Sequence, residues 1–87
     1  MSDNIDEVDL KILEAIAELK VSYPNADKIK AVVRIDPEEL GARLGGLESE
    51  GLVKALKGAH MPGVSLPNGT YAAGLTDMGR LRLIKSK

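Results

Sequence analysis

The sequence contains no cysteine, phenylalanine or tryptophan, and it has only two tyrosines and one histidine. Without cysteine, disulfides, thiolate zinc sites and thiol catalysis are excluded, so packing or a partner subunit must stabilise the fold. Two tyrosines do not make a stacking platform for single-stranded nucleic acid. A single histidine without a cluster of other ligands does not predict a metal centre, and we expect no cofactor.

Long apolar runs are also missing, since no stretch approaches the roughly 20 residues of a membrane span. The amino-terminal segment MSDNIDEVD is acidic and lacks the basic region of a secretion signal. A composition of 44% hydrophobic and 29% charged residues is typical of a globular protein, and 87 residues suffice for one domain. No nucleophile is paired with a matching base. We therefore predict one soluble, cytoplasmic domain over residues 1–87 that is not an enzyme.

The net charge of -1 hides an uneven distribution along the chain. Residues 1–20 contain six acidic and two basic side chains, and residues 36–50 contain five acidic side chains and one arginine. Residues 51–87 contain six basic side chains and one acidic side chain. A polyanion is therefore expected to meet the carboxyl-terminal third of the chain first.

Two helices are predicted in the first third of the sequence. Asp6 can cap a helix over residues 6–20, in which the apolar residues recur at helical spacing. Pro24 biases the preceding residue away from helix, and Asn25 can then cap a second helix over residues 26–34. The apolar positions of the first helix are Val8, Ile12, Leu13, Ile16 and Leu19.

A third helix is predicted over residues 36–50. Asp36 can cap its amino end, Pro37 fits the first helical position, and Glu39 can complete a capping box. Gly51 supplies a stop signal. Its apolar face consists of Leu40, Leu44 and Leu47. Because a very short turn joins it to the second helix, the pair forms a helix-turn-helix unit.

A two-stranded hairpin and a last helix are predicted in the remaining sequence. Residues 52–57 and 70–75 have strand patterns, and the glycine- and proline-rich segment between them predicts a long loop that returns at Asn68-Gly69. Thr76 can cap a helix over residues 77–85, in which Met78, Leu81 and either Leu83 or Ile84 are expected to face the core. The hairpin, residues 52–75, is predicted to place Tyr71 in the core. The fold class is thus α+β, mostly α.

Three segments carry a resemblance to known regulators. Residues 4–16, NIDEVDLKILEAI, resemble the first helix of leucine-responsive-type regulators, and residues 44–53, LGGLESEGLV, are similar to the end of their recognition helix. Residues 71–79, YAAGLTDMG, resemble the second wing strand and helix start of multiple-antibiotic-resistance-type repressors. The order and spacing of these segments resemble a winged helix-turn-helix domain with a three-helix core, a hairpin wing and a carboxyl-terminal helix.

The resemblance implies a role for each surface. In such families the third helix reads the major groove, the second helix crosses the phosphates, and the wing contacts the minor groove or the backbone of duplex DNA. Carried over by position, the groove-facing residues are Glu38, Glu39, Ala42 and Arg43. The implied phosphate contacts are Lys28, Lys30 and Arg34, and the implied wing contacts are Lys54, Lys57 and His60.

The exposed face of the third helix is acidic and carries small side chains, and it is compatible with binding either DNA or a protein. Arg43 could bind a guanine with both arms of its guanidinium, or it could pair with Glu39 one helical turn away. The helix glycines, Gly41, Gly45 and Gly46, could permit close approach of DNA or a protein, mark an early helix end, or have no function. The chain is accordingly predicted to be a DNA-binding transcriptional regulator or, alternatively, a module that docks a protein partner through its third helix.

Dimerisation is expected in either case. A domain this small gains stability by burying an outer helix, and two half-sites raise DNA affinity. The first and last helices are the expected homodimer surface.

Overall fold

The computed structural model describes residues 6–58, 66 and 69–85. Within these residues the chain forms four helices and a two-stranded antiparallel sheet, which confirms the predicted fold class. None of the four helices has the length and hydrophobicity that crossing a membrane would require. The elements in chain order are α1 (Glu7–Glu18), α2 (Ala26–Val33), α3 (Pro37–Ser49), β1 (Val53–Lys57), β2 (Thr70–Leu75) and α4 (Asp77–Lys85).

Helix α1 begins with a complete capping box. The Asp6 carboxylate accepts a hydrogen bond from the Asp9 backbone N–H at 3.0 Å, and the Asp9 carboxylate accepts one from the Asp6 N–H at 3.3 Å. The helix ends at Glu18, two residues before the predicted end at position 20. Lys20 has a φ of 55°, in the left-handed region, so the helix cannot continue through it.

Helix α2 begins after Asn25, but the predicted side-chain cap is wrong. The Asn25 side chain makes no capping hydrogen bond. Its backbone instead forms an isolated bridge with Ala72, and the Ala73 N–H donates to the Pro24 carbonyl at 3.2 Å. The residues before α2 are therefore held by β2. Helix α2 ends at Val33, because Arg34 is left-handed with a φ of 59°.

Helix α3 has the predicted start and stop. The Asp36 carboxylate accepts hydrogen bonds from the N–H groups of Glu38 and Glu39 at 2.9 and 3.4 Å. At the other end Gly51 has a φ of 78° and donates to the Glu48 carbonyl at 2.9 Å. Leu52 N–H donates to the Leu47 carbonyl at 2.9 Å, which completes a Schellman motif. The chain thereby turns directly from α3 into β1.

One hydrophobic core joins all of these elements. The predicted apolar face of α3 is fully buried, and it meets the buried faces of α1 and α2. Leu66, from the loop between the strands, is 4% exposed and belongs to the same core. The loop is thus attached to the body of the domain at this residue. The core residues are Ile12, Leu13, Ile16, Ala26, Ile29, Leu40, Leu44, Leu47, Leu52, Val53, Leu66, Ala73 and Leu83.

Strand β2 corrects the prediction for Tyr71. Thr70 and Ala72 are buried, and Tyr71 between them is the residue that the register shift leaves without a partner on β1. Tyr71 is 37% exposed, and its ring lies beside Gly58 rather than in the core. The strands pair from Val53 opposite Leu75 to Lys57 opposite Thr70, with a register shift after Leu56.

Helix α4 is rotated from the predicted orientation. Met78 and Leu81, expected in the core, are 59% and 50% exposed, whereas Gly79 and Leu83 are buried. Gly79 lies so close to the Leu52 carbonyl that no side chain fits between them. This backbone contact therefore sets which face of α4 points inward. Thr76 caps the helix as predicted, since its hydroxyl accepts from the Gly79 N–H at 3.1 Å.

Candidate nucleic-acid interface

The outward face of α3 carries the residues that the resemblance implies would face the groove. Burial of the leucine face of α3 leaves Glu38, Glu39 and Ala42 exposed, and the Arg43 side chain is 25% exposed. Arg43 is the only basic residue between Pro37 and Ser49. The character of this face therefore depends on what the guanidinium of Arg43 binds.

Arg43 binds carboxylates from two helices. Its Nε donates to Glu39 Oε2 at 2.8 Å, which is the predicted pair one turn apart in α3. Its Nη1 donates to both carboxylate oxygens of Asp6, at 2.9 and 3.0 Å, and to Asp9 Oδ1 at 3.1 Å. We call Asp6, Asp9, Glu39 and Arg43 the arginine cluster. The cluster ties the middle of α3 to the amino end of α1.

The Glu39 carboxylate therefore has a different partner from the predicted one. The sequence predicts that it returns to the start of α3 and completes a capping box, but it accepts a hydrogen bond from Arg43 instead. A charged guanidinium is the stronger donor, because its positive charge adds an attraction to the negative carboxylate that a neutral backbone N–H lacks.

The charges of the arginine cluster stabilise one another. The pKa of Asp6 lies below its ordinary value of 3.8, first because the Asp9 backbone N–H donates to the carboxylate and then because Arg43 does. Hydrogen bonds to Glu39, Asp6 and Asp9, in that order, raise the pKa of Arg43. Both groups are thus ionised at neutral pH. Three carboxylates surround one guanidinium, so the cluster leaves this face acidic.

The carboxyl-terminal half of α3 forms the floor of a shallow depression of about 440 Å³ beside the arginine cluster. Gly45 and Gly46 have open space where a side chain would begin, with no atom within 4 Å of that position apart from the neighbouring residues and the backbone of α3 itself. Helix α3 continues past both glycines to Ser49, so the interpretation of an early helix end is wrong. The residues lining the depression are Asp9, Glu39, Ala42, Arg43, Gly46, Leu47, Ser49 and Glu50.

Helix α2 presents the basic residues that the resemblance assigns to phosphate binding. Lys28 and Arg34 are exposed and Lys30 is half-buried, while Ala26 and Ile29 anchor the opposite side of the helix in the core. Arg34 occupies the turn between α2 and α3. Its left-handed backbone reverses the chain within three residues, which brings the ends of the two helices together.

The base of the wing carries Lys54 and Lys57, both exposed on β1. Glu48, near the end of α3, reaches this strand. Its Oε2 accepts from the Ala55 N–H at 3.3 Å, and its Oε1 lies 4.0 Å from Lys57 Nζ. The contact fixes the base of the wing against the end of α3. His60, the third implied wing contact, lies outside the described residues.

Sequence reasoning missed the roles of Asp6, Asp9 and Glu48 in this region. It assigned Asp6 and Asp9 to helix capping, which the structure confirms, but their second partner lies 37 and 34 positions away in the chain. Helical periodicity carries no signal for such a pair.

Within the described residues, no group of three or more histidine, aspartate or glutamate side chains is arranged to hold a metal ion.

No model of a known protein family matches the chain, and no curated protein sequence matches it. Solved structures with a similar fold are nevertheless found. A mutant MarR from E. coli is 23% identical, with a TM-score of 0.72 over 94% of this chain and 54% of that one. The Bordetella bronchiseptica protein BpsR, whose DNA binding is regulated by 6-hydroxynicotinic acid, is 15% identical, with a TM-score of 0.72 over 98% of this chain and 59% of that one.

The zinc-responsive MarR family member ZitR from Lactococcus lactis is 18% identical, with a TM-score of 0.66 over 98% of this chain and 52% of that one. At these identities the similarity establishes a shared fold, and it confirms the resemblance to winged-helix regulators at that level. The chain spans about half the length of the solved proteins that it matches.

Proposed function

We propose that this chain is a DNA-binding transcriptional regulator that binds duplex DNA mainly through phosphate contacts. The observation that carries the proposal is the set of exposed basic residues that precede and follow α3 in the chain, in a fold shared with MarR-family regulators. Lys28 and Arg34 lie on or directly after α2, and Lys54 and Lys57 lie on the wing. Phosphate contacts fix a protein on the duplex but do not distinguish sequences.

Sequence reading by α3 is a small part of this function. Arg43 is already bound by carboxylates, and the neighbouring Glu38 and Glu39 repel phosphate. A base contact by Arg43 would require it to leave the arginine cluster. We therefore propose that Arg43 contributes to base recognition only when DNA displaces its carboxylate partners.

We further propose that the functional unit is a cytoplasmic homodimer. Two copies would place two α3 helices on one duplex, and linking two binding events raises the overall affinity without any new contact. This gain in affinity matters more when each copy recognises few bases, because a single copy then binds its site weakly.

The test is fluorescence anisotropy of a labelled duplex across a salt series. Phosphate binding predicts that the logarithm of affinity falls linearly with the logarithm of salt concentration, with a slope of about -0.9 for each phosphate contacted. Changing Lys28, Lys54 or Lys57 to glutamate should weaken binding and reduce the slope. Lys11→Glu is the matched control, because Lys11 is an exposed lysine that belongs to α1 and to neither α2 nor the wing. If Lys11→Glu loses as much duplex affinity as the other three variants, the loss comes from the change in net charge and not from a defined binding site.

The alternative function is a protein-docking module, which the acidic surface around Glu38, Glu39 and Glu50 favours. Such a surface would bind a basic partner. Failure to bind duplex DNA at low salt would support this alternative. In that case Glu38→Lys, which changes an exposed residue outside the arginine cluster, should abolish binding of the basic partner.

A further inference from the structure

Glu48 lies in the last turn of α3 and uses both oxygens of its carboxylate on β1. Its Oε2 accepts a hydrogen bond from the Ala55 N–H at 3.3 Å, and its Oε1 lies 4.0 Å from Lys57 Nζ. The Glu48 side chain is 38% exposed, so water screens these contacts only in part. One side chain of α3 therefore contacts the wing at two positions, seven and nine residues further along the chain.

This contact lies next to an irregularity of the strand ladder. Strand β1 pairs with β2, and the register of the pair shifts between Leu56 and Lys57. A shifted register bends a strand and changes the direction of nearby side chains. The direction of Lys57 is therefore not set by a regular ladder alone. Glu48 supplies a further contact, from α3, at Lys57 itself and at Ala55 just before the shift.

We propose that Glu48 is a positioning residue, which holds β1 and the wing lysine Lys57 against α3 for phosphate binding. The inference rests on the proposed function, because it assigns a role within the same DNA surface. A carboxylate in that surface repels phosphate, so its charge alone would weaken DNA binding. Its hydrogen bond to β1 has the opposite effect, because it keeps Lys57 in the place where phosphate is bound. The two effects of Glu48 thus differ in sign.

The turn after α3 provides the competing explanation for the position of the wing. The Gly51 N–H donates to the Glu48 carbonyl, and the Thr76 hydroxyl donates to the Gly51 carbonyl at 2.6 Å. These bonds fix the chain immediately before β1, whereas the Glu48 side chain reaches Ala55 and Lys57 further out on the strand. If the turn were sufficient to place the wing, the Glu48 side chain would be dispensable.

The test compares two variants that remove the same charge. Glu48→Gln keeps an oxygen that can accept from the Ala55 N–H, whereas Glu48→Ala removes the acceptor. Fluorescence anisotropy of a labelled duplex should show that Glu48→Gln binds at least as tightly as the wild type. Glu48→Ala should bind about fivefold more weakly than Glu48→Gln, as expected for the loss of one net hydrogen bond. Equal affinities of the two variants would overturn the proposal.

The matched control is the pair Glu14→Gln and Glu14→Ala. Glu14 is exposed and belongs to α1, so these variants change the net charge by the same amount outside α3 and the wing. Their affinities for the duplex should equal each other. A difference between them as large as that between the Glu48 variants would show a general effect of alanine, and it would also overturn the proposal.

Hydrogen exchange measured by nuclear magnetic resonance tests the contact without DNA. The Ala55 amide should exchange faster in Glu48→Ala than in Glu48→Gln, while the amide of the buried Leu44 keeps its wild-type rate. Unchanged exchange at Ala55, or equal acceleration at both amides, would reject a positioning role. A wild type that binds no duplex would instead refute the proposed function, and with it the role of Glu48 in DNA binding. Duplex binding with equal Glu48 variants would reject only this inference.

Discussion

Arg43, on α3, donates a bifurcated hydrogen bond to Asp6, the residue directly before α1. Its Nη1 lies 2.9 and 3.0 Å from the two carboxylate oxygens. The same Asp6 carboxylate caps α1 through the Asp9 N–H. One carboxylate thus serves both the local start of a helix and the packing of two helices. Its protonation state should affect stability and also the charge of the proposed DNA surface.

Acid should destabilise the protein through Asp6. The folded state lowers the pKa of this carboxyl below 3.8, so the unfolded state binds a proton more readily. The stabilisation is complete well above pH 3.8 and is lost as the pH falls through the folded pKa below it. We expect the melting temperature of the wild type to drop over this acid range, measured by circular dichroism. Asp6→Asn keeps a good capping residue but cannot titrate, so its melting temperature should fall less steeply. Parallel acid profiles of the two proteins would contradict this role of Asp6.

Asp6→Asn should also strengthen duplex binding. The substitution removes the ion pair between Asp6 and Arg43, so the guanidinium is freer to move, and the surface becomes less acidic. The expected gain in affinity at low salt is a few-fold, since water and salt largely screen the repulsion between an exposed carboxylate and the phosphates. A gain that arises from Arg43 should disappear when Asp6→Asn is combined with Arg43→Gln. If the gain is the same in both backgrounds, Arg43 does not contact DNA. Fluorescence anisotropy of a labelled duplex provides the comparison.

Alanine should have opposite effects at different helix glycines. Gly45→Ala and Gly46→Ala place a methyl group in open space and improve helix propensity, so each should increase the free energy of unfolding by about 0.5 to 1 kcal/mol. Gly79→Ala should decrease it by about 1 to 3 kcal/mol, because its methyl group would collide with the Leu52 carbonyl. Urea unfolding of the three variants measures these changes. A stabilised Gly79→Ala protein would show that α4 can move away from Leu52 without cost.

The glycine variants also separate stability from function. If Gly45 and Gly46 allow close approach of DNA or a partner, their alanine variants should be more stable than the wild type and bind less tightly. Binding equal to that of the wild type would leave these two glycines without a functional role.

Features that depend on neighbouring residues were predictable from the sequence. The caps at Asp6, Asp36 and Thr76 involve atoms two or three residues away, and the end of α3 at Gly51 depends on local backbone geometry. The leucine face of α3 follows from helical spacing alone. These interactions form within one or two turns of chain, so their residue pattern is sufficient to identify them.

Features that depend on distant residues were not predictable. The predicted core-facing side of α4 was wrong, because the Leu52 carbonyl leaves no room for a side chain at position 79. The predicted side-chain cap at Asn25 was wrong, because the backbone of Asn25 forms a bridge with Ala72 of β2. Tyr71 was placed inside because an aromatic residue on a strand is commonly buried, whereas it lies at the register shift of the hairpin and is 37% exposed.

The order of helices and strands, the caps of α1, α3 and α4 and the acidic character of α3 follow from the sequence alone, because these depend on local bonding and on composition. The folded structure, in contrast, is needed to see that carboxylates at the start of α1 bind Arg43 and that the outer side of α4 carries Met78, Leu81 and Ile84. Both depend on how one helix is placed against another. That placement is set by close packing between residues far apart in the chain, which a linear pattern does not record.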